Sequence, residues 1–420
     1  MSKLTKLINN PTLFFTDSIE KRKRQIITRS EEFLGVSISK PSAKPSAKPS
    51  AKTNFLISKE INIFTNYLIL HTGEKYFSSS HVKLWYSHFL QSEVSFIIVT
   101  RYIEAYNDIL NDYPEAIVIL AKNKEDIDIL FNSVTSIEAC FYMSNTGNNS
   151  HLLYHTNSKH IFIGHGDSDK SASAHKYFRA YDENWVAGQA HIDRFENAGF
   201  ELNGLKQVKV GRPSLLNIIK KSQLNWKHRF GMDYKLLYLP TWEGTYKEQD
   251  YSSLSIVAEL LLEINNIDNI NTSIKLHPFT GRREIQFADL EKDIQEMQIE
   301  RINVIDKSES LSDYIQNSNI FICDISAAVS ECLAANAPIF LYIPKDKEFN
   351  LSKSNIDYSE YCYIFSSVEE LVSLLKDVIF SENDFLVDNR KIAADYIIST
   401  DITLDNEFVR RLKGLGVANA

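Results

Sequence analysis

The chain has 420 residues, 44% hydrophobic and 24% charged, the composition of a globular protein long enough to build two hydrophobic cores. A formal net charge of −8 excludes a protein that binds nucleic acid through an overall basic surface, and no apolar run approaches the roughly 18 residues that cross a bilayer. The four cysteines form no C-x-x-C pair or zinc-finger spacing, and there is no N-terminal secretory signal, so a reducing, cytoplasmic location is expected.

Residues 1–40 read as an amphipathic, basic element, with apolar clusters at Leu4, Leu7, Ile8 and Leu13, Phe14, Phe15 followed by Lys21-Arg22-Lys23-Arg24. Residues 1–34 suit an anionic membrane surface or a partner protein, and equally a helix packed on the main body. Residues 41–52 repeat Pro-Ser-Ala-Lys three times, which blocks helix and offers nothing large to bury, so an extended, solvated linker is expected. A tether favours docking over packing.

From 53 to 220, apolar runs at 67–70, 94–99, 116–120, 139–142, 161–163 and 208–210 alternate with helix-like stretches such as 80–90 and 103–110. This rhythm predicts a parallel sheet covered on both faces. A polar, basic stretch at 213–232 interrupts it and suggests a domain boundary. The rhythm resumes in 221–386, with strands expected at 236–239, 273–276, 302–305, 320–323, 339–342 and 363–365, and helices near 252–264, 283–297 and 327–335. Residues 387–420 read as helices crossing back to the first domain. The predicted architecture is α/β, two doubly wound Rossmann-like domains facing a cleft.

Four motifs follow predicted strands, where ligands of open α/β sheets bind. Gly164-His165-Gly166 leads into Asp167-Ser168-Asp169-Lys170; small neighbours let a substrate approach His165, whose imidazole can take a proton from a hydroxyl. Pro240-Thr241-Trp242 follows the next domain's first strand. Lys275-Leu276-His277-Pro278, with Arg282 and Arg283 soon after, gathers cations at a strand end, as an anionic leaving group such as pyrophosphate requires. Asp324 and Ser326 cap a helix opening at Ala327, whose free N–H groups suit phosphate, and Glu331 lies within reach of a ribose or base. The alternatives are a turn histidine bonded to backbone, a loop of solvated charge and an ordinary helix cap. His151 and His155, spaced i, i+4, lack a third ligand, and the P-loop, G-x-G-x-x-G and G-x-S-x-G patterns are missing from the sequence.

Together the motifs resemble the CDP-glycerol glycerophosphotransferases, the family of teichoic-acid primases, polymerases and capsule-making relatives. His-Gly-x-x-x-Lys is matched by His165, Gly166 and Lys170; Pro-Thr-Trp-Arg by Pro240-Thr241-Trp242, with Glu243 in place of arginine. Lys/Arg-x-His-Pro is matched by Lys275 to Pro278, and Asp-x-Ser-Ser-x-x-x-Asp by Asp324, Ser326 and Glu331, with Ala327 for the second serine. Asp167-Ser168-Asp169 replaces the usual Thr-Pro-Leu.

The resemblance implies a GT-B fold and a transferase that moves glycerol phosphate, or a related polyol phosphate, from a CDP-linked donor to a saccharide or lipid-linked acceptor in capsule or teichoic-acid-type assembly. It makes His165 the base, sets His277 and Arg282 against the charge on departing CMP, and gives phosphate oxygens to Thr241 and Ser326. Lys275, Asp324 and Glu331 join the donor set, and Gly166, Asp167 and Lys170 the acceptor side. A chain of 420 residues suggests a priming or linkage step. No metal or cofactor is expected. The alternatives are a GT-B glycosyltransferase using a nucleotide sugar and a non-catalytic scaffold of a capsule complex. Either enzyme would work at the inner face of the cytoplasmic membrane.

Overall fold

The computed structural model describes residues 55–417 apart from 77, 171–172, 200, 223–224, 231–232, 308, 346, 348 and 350, so the expected N-terminal element and linker lie outside the described residues. The chain divides into two compact units, 1–163 with 412–420, and 164–411.

In the first unit, runs of β-branched and aromatic residues form β1 (Leu56–Ile57), β2 (Asn66–Thr72), β3 (Phe96–Thr100), β4 (Val118–Leu120), β5 (Ser136–Tyr142) and β6 (Lys159–Phe162). They lie in the order β1-β4-β3-β2-β5-β6. All pairs are parallel except β1 with β4. Disregarding β1, chain order reverses between β2 and β5, which makes that gap the sheet's switch point. The helix expected at 80–90 is two helices, Ser78–Lys83 and Tyr86–Ser92. Trp85 breaks it: its indole is 2% exposed, and its backbone leaves the helical region at φ −121°.

The second unit contains a parallel pair, β7 (Glu183–Val186) and β8 (Lys206–Lys209), and a six-stranded sheet. The sheet comprises β9 (Tyr234–Leu239), β10 (Ile270–Lys275), β11 (Ile302–Ile305), β12 (Ile320–Cys323), β13 (Ile339–Tyr342) and β14 (Tyr363–Phe365). Its order is β11-β10-β9-β12-β13-β14, parallel throughout. This is the doubly wound order, with a switch point between β9 and β12. β12 and β13 are buried along their whole length, as near-continuous apolar strands of parallel sheets are.

β7 carries no apolar run and escapes sequence reading. Its polar side chains satisfy one another: Trp185 Nε1 donates to Glu183 Oε2 at 2.7 Å, and Asn184 Nδ2 to Gln207 Oε1 of β8 at 3.0 Å. The helix expected at 283–297 is a single turn, Ile285–Phe287, followed by Leu290–Glu296. The C-terminal stretch folds as Val387–Ile398, Thr400–Leu404 and Glu407–Val417, broken where Ser399 and Asn406 take φ of +45° and +54°.

The Val387–Ile398 helix is anchored by a buried ion pair. Arg390, 0% exposed, donates NH1 to Asp384 Oδ1 at 2.9 Å and NH2 to Oδ2 at 2.6 Å. Asp384 also accepts from Trp226 Nε1 and Tyr363 OH, both at 2.8 Å. Removing one partner leaves a buried charge uncompensated, which typically costs about 3–5 kcal/mol. Asp384→Ala should lower unfolding stability by that amount in a denaturant titration; a loss below about 1 kcal/mol would show the guanidinium to be solvated elsewhere.

Candidate functional site

The geometry of the second unit follows from one buried carboxylate. Asp324, immediately after β12, is 0% exposed, and its Oδ2 accepts the backbone N–H of Thr241 at 2.7 Å and of Ser253 at 3.0 Å. These two segments follow β9, so Asp324 ties the strands on either side of the switch point together. Burial pushes its carboxyl up to about 7, against the opposing pull of those donors and of Lys170. Its Oδ2 holds backbone, while its Oδ1 is buried without a hydrogen-bond partner among the described residues.

Lys170 closes the loop that begins at His165. Its Nζ donates to Thr241 Oγ1 at 3.1 Å and stands 5.1 Å from the Tyr251 ring centroid. Desolvation pulls this ammonium down to about 8, although Asp324 and Asp250 favour its charge. Lys170, expected on the acceptor side, thus meets the Pro240-Thr241-Trp242 segment directly. Gly166 lies against the start of the Ala327–Cys332 helix: a Cβ there would stand 3.0 Å from Ala327 Cβ, so a larger side chain would push the His165 loop off the helix start. His165 itself is exposed.

His277 sits at the end of β10 with its ring stacked on Trp242 (centroids 6.0 Å apart, 18° between planes). The Phe279 N–H donates to Nδ1 at 3.0 Å, which fixes that atom as acceptor and leaves the ring proton on Nε2. Burial, reinforced by Lys170, Lys275 and His165, depresses His277 to about 3. At neutral pH it is a neutral hydrogen-bond donor through Nε2. Arg282 is exposed, with its guanidinium 4.9 Å from the Phe279 ring centroid.

The loop carrying Arg282 is held by Glu243, the residue that departs from the family motif. Glu243 is 0% exposed; its Oε1 accepts the N–H of Arg283 (2.7 Å) and Glu284 (3.0 Å), and its Oε2 that of Gly281 (3.1 Å). Gly281 takes φ +82°, and a Cβ there would lie 2.4 Å from Ala288 Cα, so the tight turn requires glycine. Arg283 bonds to Asp250 Oδ2 at 3.0 Å, and Asp250 also accepts from Ser252 N and Oγ. Sequence reading missed Glu243, Asp250 and Tyr251; the only signal was Glu243 standing where the motif has arginine.

Other expected site residues lie elsewhere. Asp167, 5% exposed, is locked in an ion pair with Arg194, which is 2% exposed, and its Oδ1 lies 3.2 Å from His191 Nδ1. Asp169 Oδ1 accepts from Arg194 Nε at 2.6 Å. Burial alone would raise the Asp167 carboxyl, but Arg194, His191 and Arg212 hold it below its usual range. The Asp-Ser-Asp departure thus builds an internal clamp on Arg194. Lys275, 8% exposed, donates to the carbonyls of Asp306 (3.3 Å) and Lys307 (2.8 Å), which makes it a loop anchor. Ser326 caps Ala327–Cys332, its hydroxyl accepting Ala328 N–H at 3.3 Å. Glu331 is half-buried, its carboxyl raised by burial and partly offset by Arg212. Among the described residues, no group of three or more His, Cys, Asp or Glu could hold a metal ion.

The assembled groups are a neutral imidazole donor, a lysine close to its titration point and an exposed arginine, beside a solvent-facing histidine. That set can bind a pyrophosphate-like anion and move a proton at a hydroxyl. Lys170 is charged below about pH 8 and neutral above it. Affinity for inorganic pyrophosphate should therefore fall as pH rises through about 8. Lys170→Arg should remove that dependence in calorimetric titrations; an identical pH profile in both proteins would exclude Lys170 as the titrating cation.

Residues 132–401 match the family model described as CDP-glycerol:poly(glycerophosphate) glycerophosphotransferase. No curated protein matches the chain by sequence. Among solved structures, the wall teichoic acid polymerase TagF is similar at a TM-score of 0.56 and 14% identity, covering 83% of this chain and 88% of that one. A TagF variant soaked with CDPG gives 0.54 and 13% over the same shares. A putative UDP-N-acetylglucosamine 2-epimerase from Listeria monocytogenes gives 0.51 and 11%, covering 81% and 94%. These likenesses carry the fold: two Rossmann-like domains of the GT-B class.

Proposed function

The chain belongs to the CDP-glycerol:poly(glycerophosphate) glycerophosphotransferase family and is a glycerophosphotransferase of teichoic-acid-type polymer assembly, and from this premise we propose which step it performs and with which residues. The step is priming or linkage extension on a saccharide or lipid-linked acceptor of a capsule-type polymer, with the donor bound by 221–386. The observation that supports the assignment most directly is the bond from Lys170 Nζ to Thr241 Oγ1, which draws the His165 loop and the donor motif into one site.

In this reading His165 takes the proton of an acceptor hydroxyl as its oxygen attacks the glycerol-bearing phosphorus of CDP-glycerol. The bond from that phosphorus to the bridging oxygen breaks, and CMP departs with the bonding pair. His277 donates from Nε2 to the departing phosphate, and being neutral it does so without a proton to lose to solvent. Lys170 and Arg282 offset the negative charge that accumulates on CMP. These cations supply what a divalent ion supplies in other phosphoryl transfers, and the reaction is proposed to run without metal.

CMP release from CDP-glycerol tests the reading. His165→Ala should lose about 10²–10⁴-fold in turnover while retaining CDP-glycerol affinity. The wild-type rate should survive EDTA. Near-normal turnover in the variant would remove His165 as the base, and Mg²⁺-reversible inhibition would overturn the metal-free step.

We also propose that residues 1–34 hold the enzyme at the inner face of the membrane, on the support of Lys21-Arg22-Lys23-Arg24 and the adjoining apolar clusters. Deletion of 1–52 should abolish co-sedimentation with anionic vesicles and spare CMP release; undiminished sedimentation would dismiss the anchor.

A further inference from the structure

The first unit has its own switch point, between β2 and β5, and an unusual cation stands beside it. Arg101 follows β3 directly, at the carboxyl end of the sheet, and is 4% exposed. Its NH2 donates to the Lys122 carbonyl at 3.1 Å and to His151 Nδ1 at 2.5 Å. Its Nε and NH1 are buried without a hydrogen-bond partner among the described residues. The nearby carboxylate of Asp126 is engaged elsewhere, its Oδ2 accepting the N–H of Lys122 at 2.8 Å and of Asn123 at 3.1 Å. A buried guanidinium with two unmet donors is costly, and anions are what its planar fork fits.

Two histidines complete the surroundings. His71, 1% exposed and paired in register with Tyr142 at the switch point, donates Nδ1–H to the Val99 carbonyl at 3.0 Å. Its Nε2 is thereby an acceptor, and that atom is buried and unpartnered. Burial and the neighbouring Arg101 depress this imidazole to about 3, so it stays neutral. His151 is half-buried and accepts from Arg101 at Nδ1, so in its neutral form Nε2 carries a proton to donate; it is where the cluster meets solvent.

We propose that Arg101, His71 and His151 form a second binding site, for the phosphate group of a hydroxyl-bearing phosphate ester. Arg101 Nε and NH1 and His151 Nε2 donate to the phosphate, and His71 Nε2 accepts from an adjacent hydroxyl. Arg101 and His71 precede the family-matched segment, which begins at 132. A polyol phosphate is also the chemistry of a growing glycerol phosphate end, so, resting on the transferase reading, that is the class of ligand this site takes.

Calorimetric titration of glycerol 3-phosphate, inorganic phosphate and glycerol into the full-length protein tests it. Glycerol 3-phosphate should bind more tightly than inorganic phosphate, and glycerol not at all. Arg101→Gln should weaken glycerol 3-phosphate by about tenfold to a hundredfold, as loss of charged hydrogen bonds does. Its ligand-free melting temperature should hold or rise, since the uncompensated buried charge is gone. Lys292→Ala, an exposed cation outside both clusters, should leave this binding unchanged.

Wild-type affinity in Arg101→Gln, equal affinity for the two phosphates, or a lower melting temperature in Arg101→Gln with no ligand-induced rise in the wild type would each overturn the site. The titration needs no CDP donor. Its failure alongside intact CMP release would therefore remove this site alone, and the converse result would remove the transferase reading alone.

Discussion

One buried carboxylate, Asp324, fixes the second unit's site. Parallel strands end in loops whose backbone N–H groups have no ladder partner, and at a switch point adjacent loops diverge. Asp324 satisfies two of those donors at once, from the segments of Thr241 and Ser253, and Tyr238 OH stands 2.5 Å from Ser253 Oγ beneath them. The position of Thr241 then sets Lys170, and Lys170 sets the loop that carries His165. An exposed histidine on a loop gains its geometry from a residue that no ligand need touch.

The electrostatics of the site follow from burial more than from sequence charge. Lys170 and His277 both lose basicity by desolvation, and each cation near His277 depresses it further. The outcome is a donor that is neutral at every physiological pH, beside a lysine that is not. Glu243 adds a negative charge where positive charge is wanted, yet its carboxylate faces three backbone N–H groups and organises the loop that presents Arg282. A substitution that reads as the loss of an arginine is, in three dimensions, the gain of a loop anchor.

The Asp167–Arg194–Asp169 clamp shows the same logic. Two acidic residues in a substrate-side motif invite a binding role, but a buried arginine on helix Gln189–Asn197 claims both. Which acid meets which base across 25 residues or more is a matter of tertiary packing, and sequence spacing carries no record of it.

The sequence alone determined the strand rhythm of both sheets, because fully buried parallel strands must be apolar runs, and it determined the strand ends at which His165, Thr241, His277 and Asp324 stand. It could not register β7, whose Glu183 and Asn184 are paid for by partners within the pair. Nor could it separate residues that touch a ligand from those that hold the residues that do. Lys275, Asp167 and Asp324 have the chemistry for ligand contact, and in the fold they also meet carbonyls, a guanidinium and backbone N–H groups. Only the tertiary structure decided those partners, because which groups a polar side chain meets depends on which segments folding brings beside it.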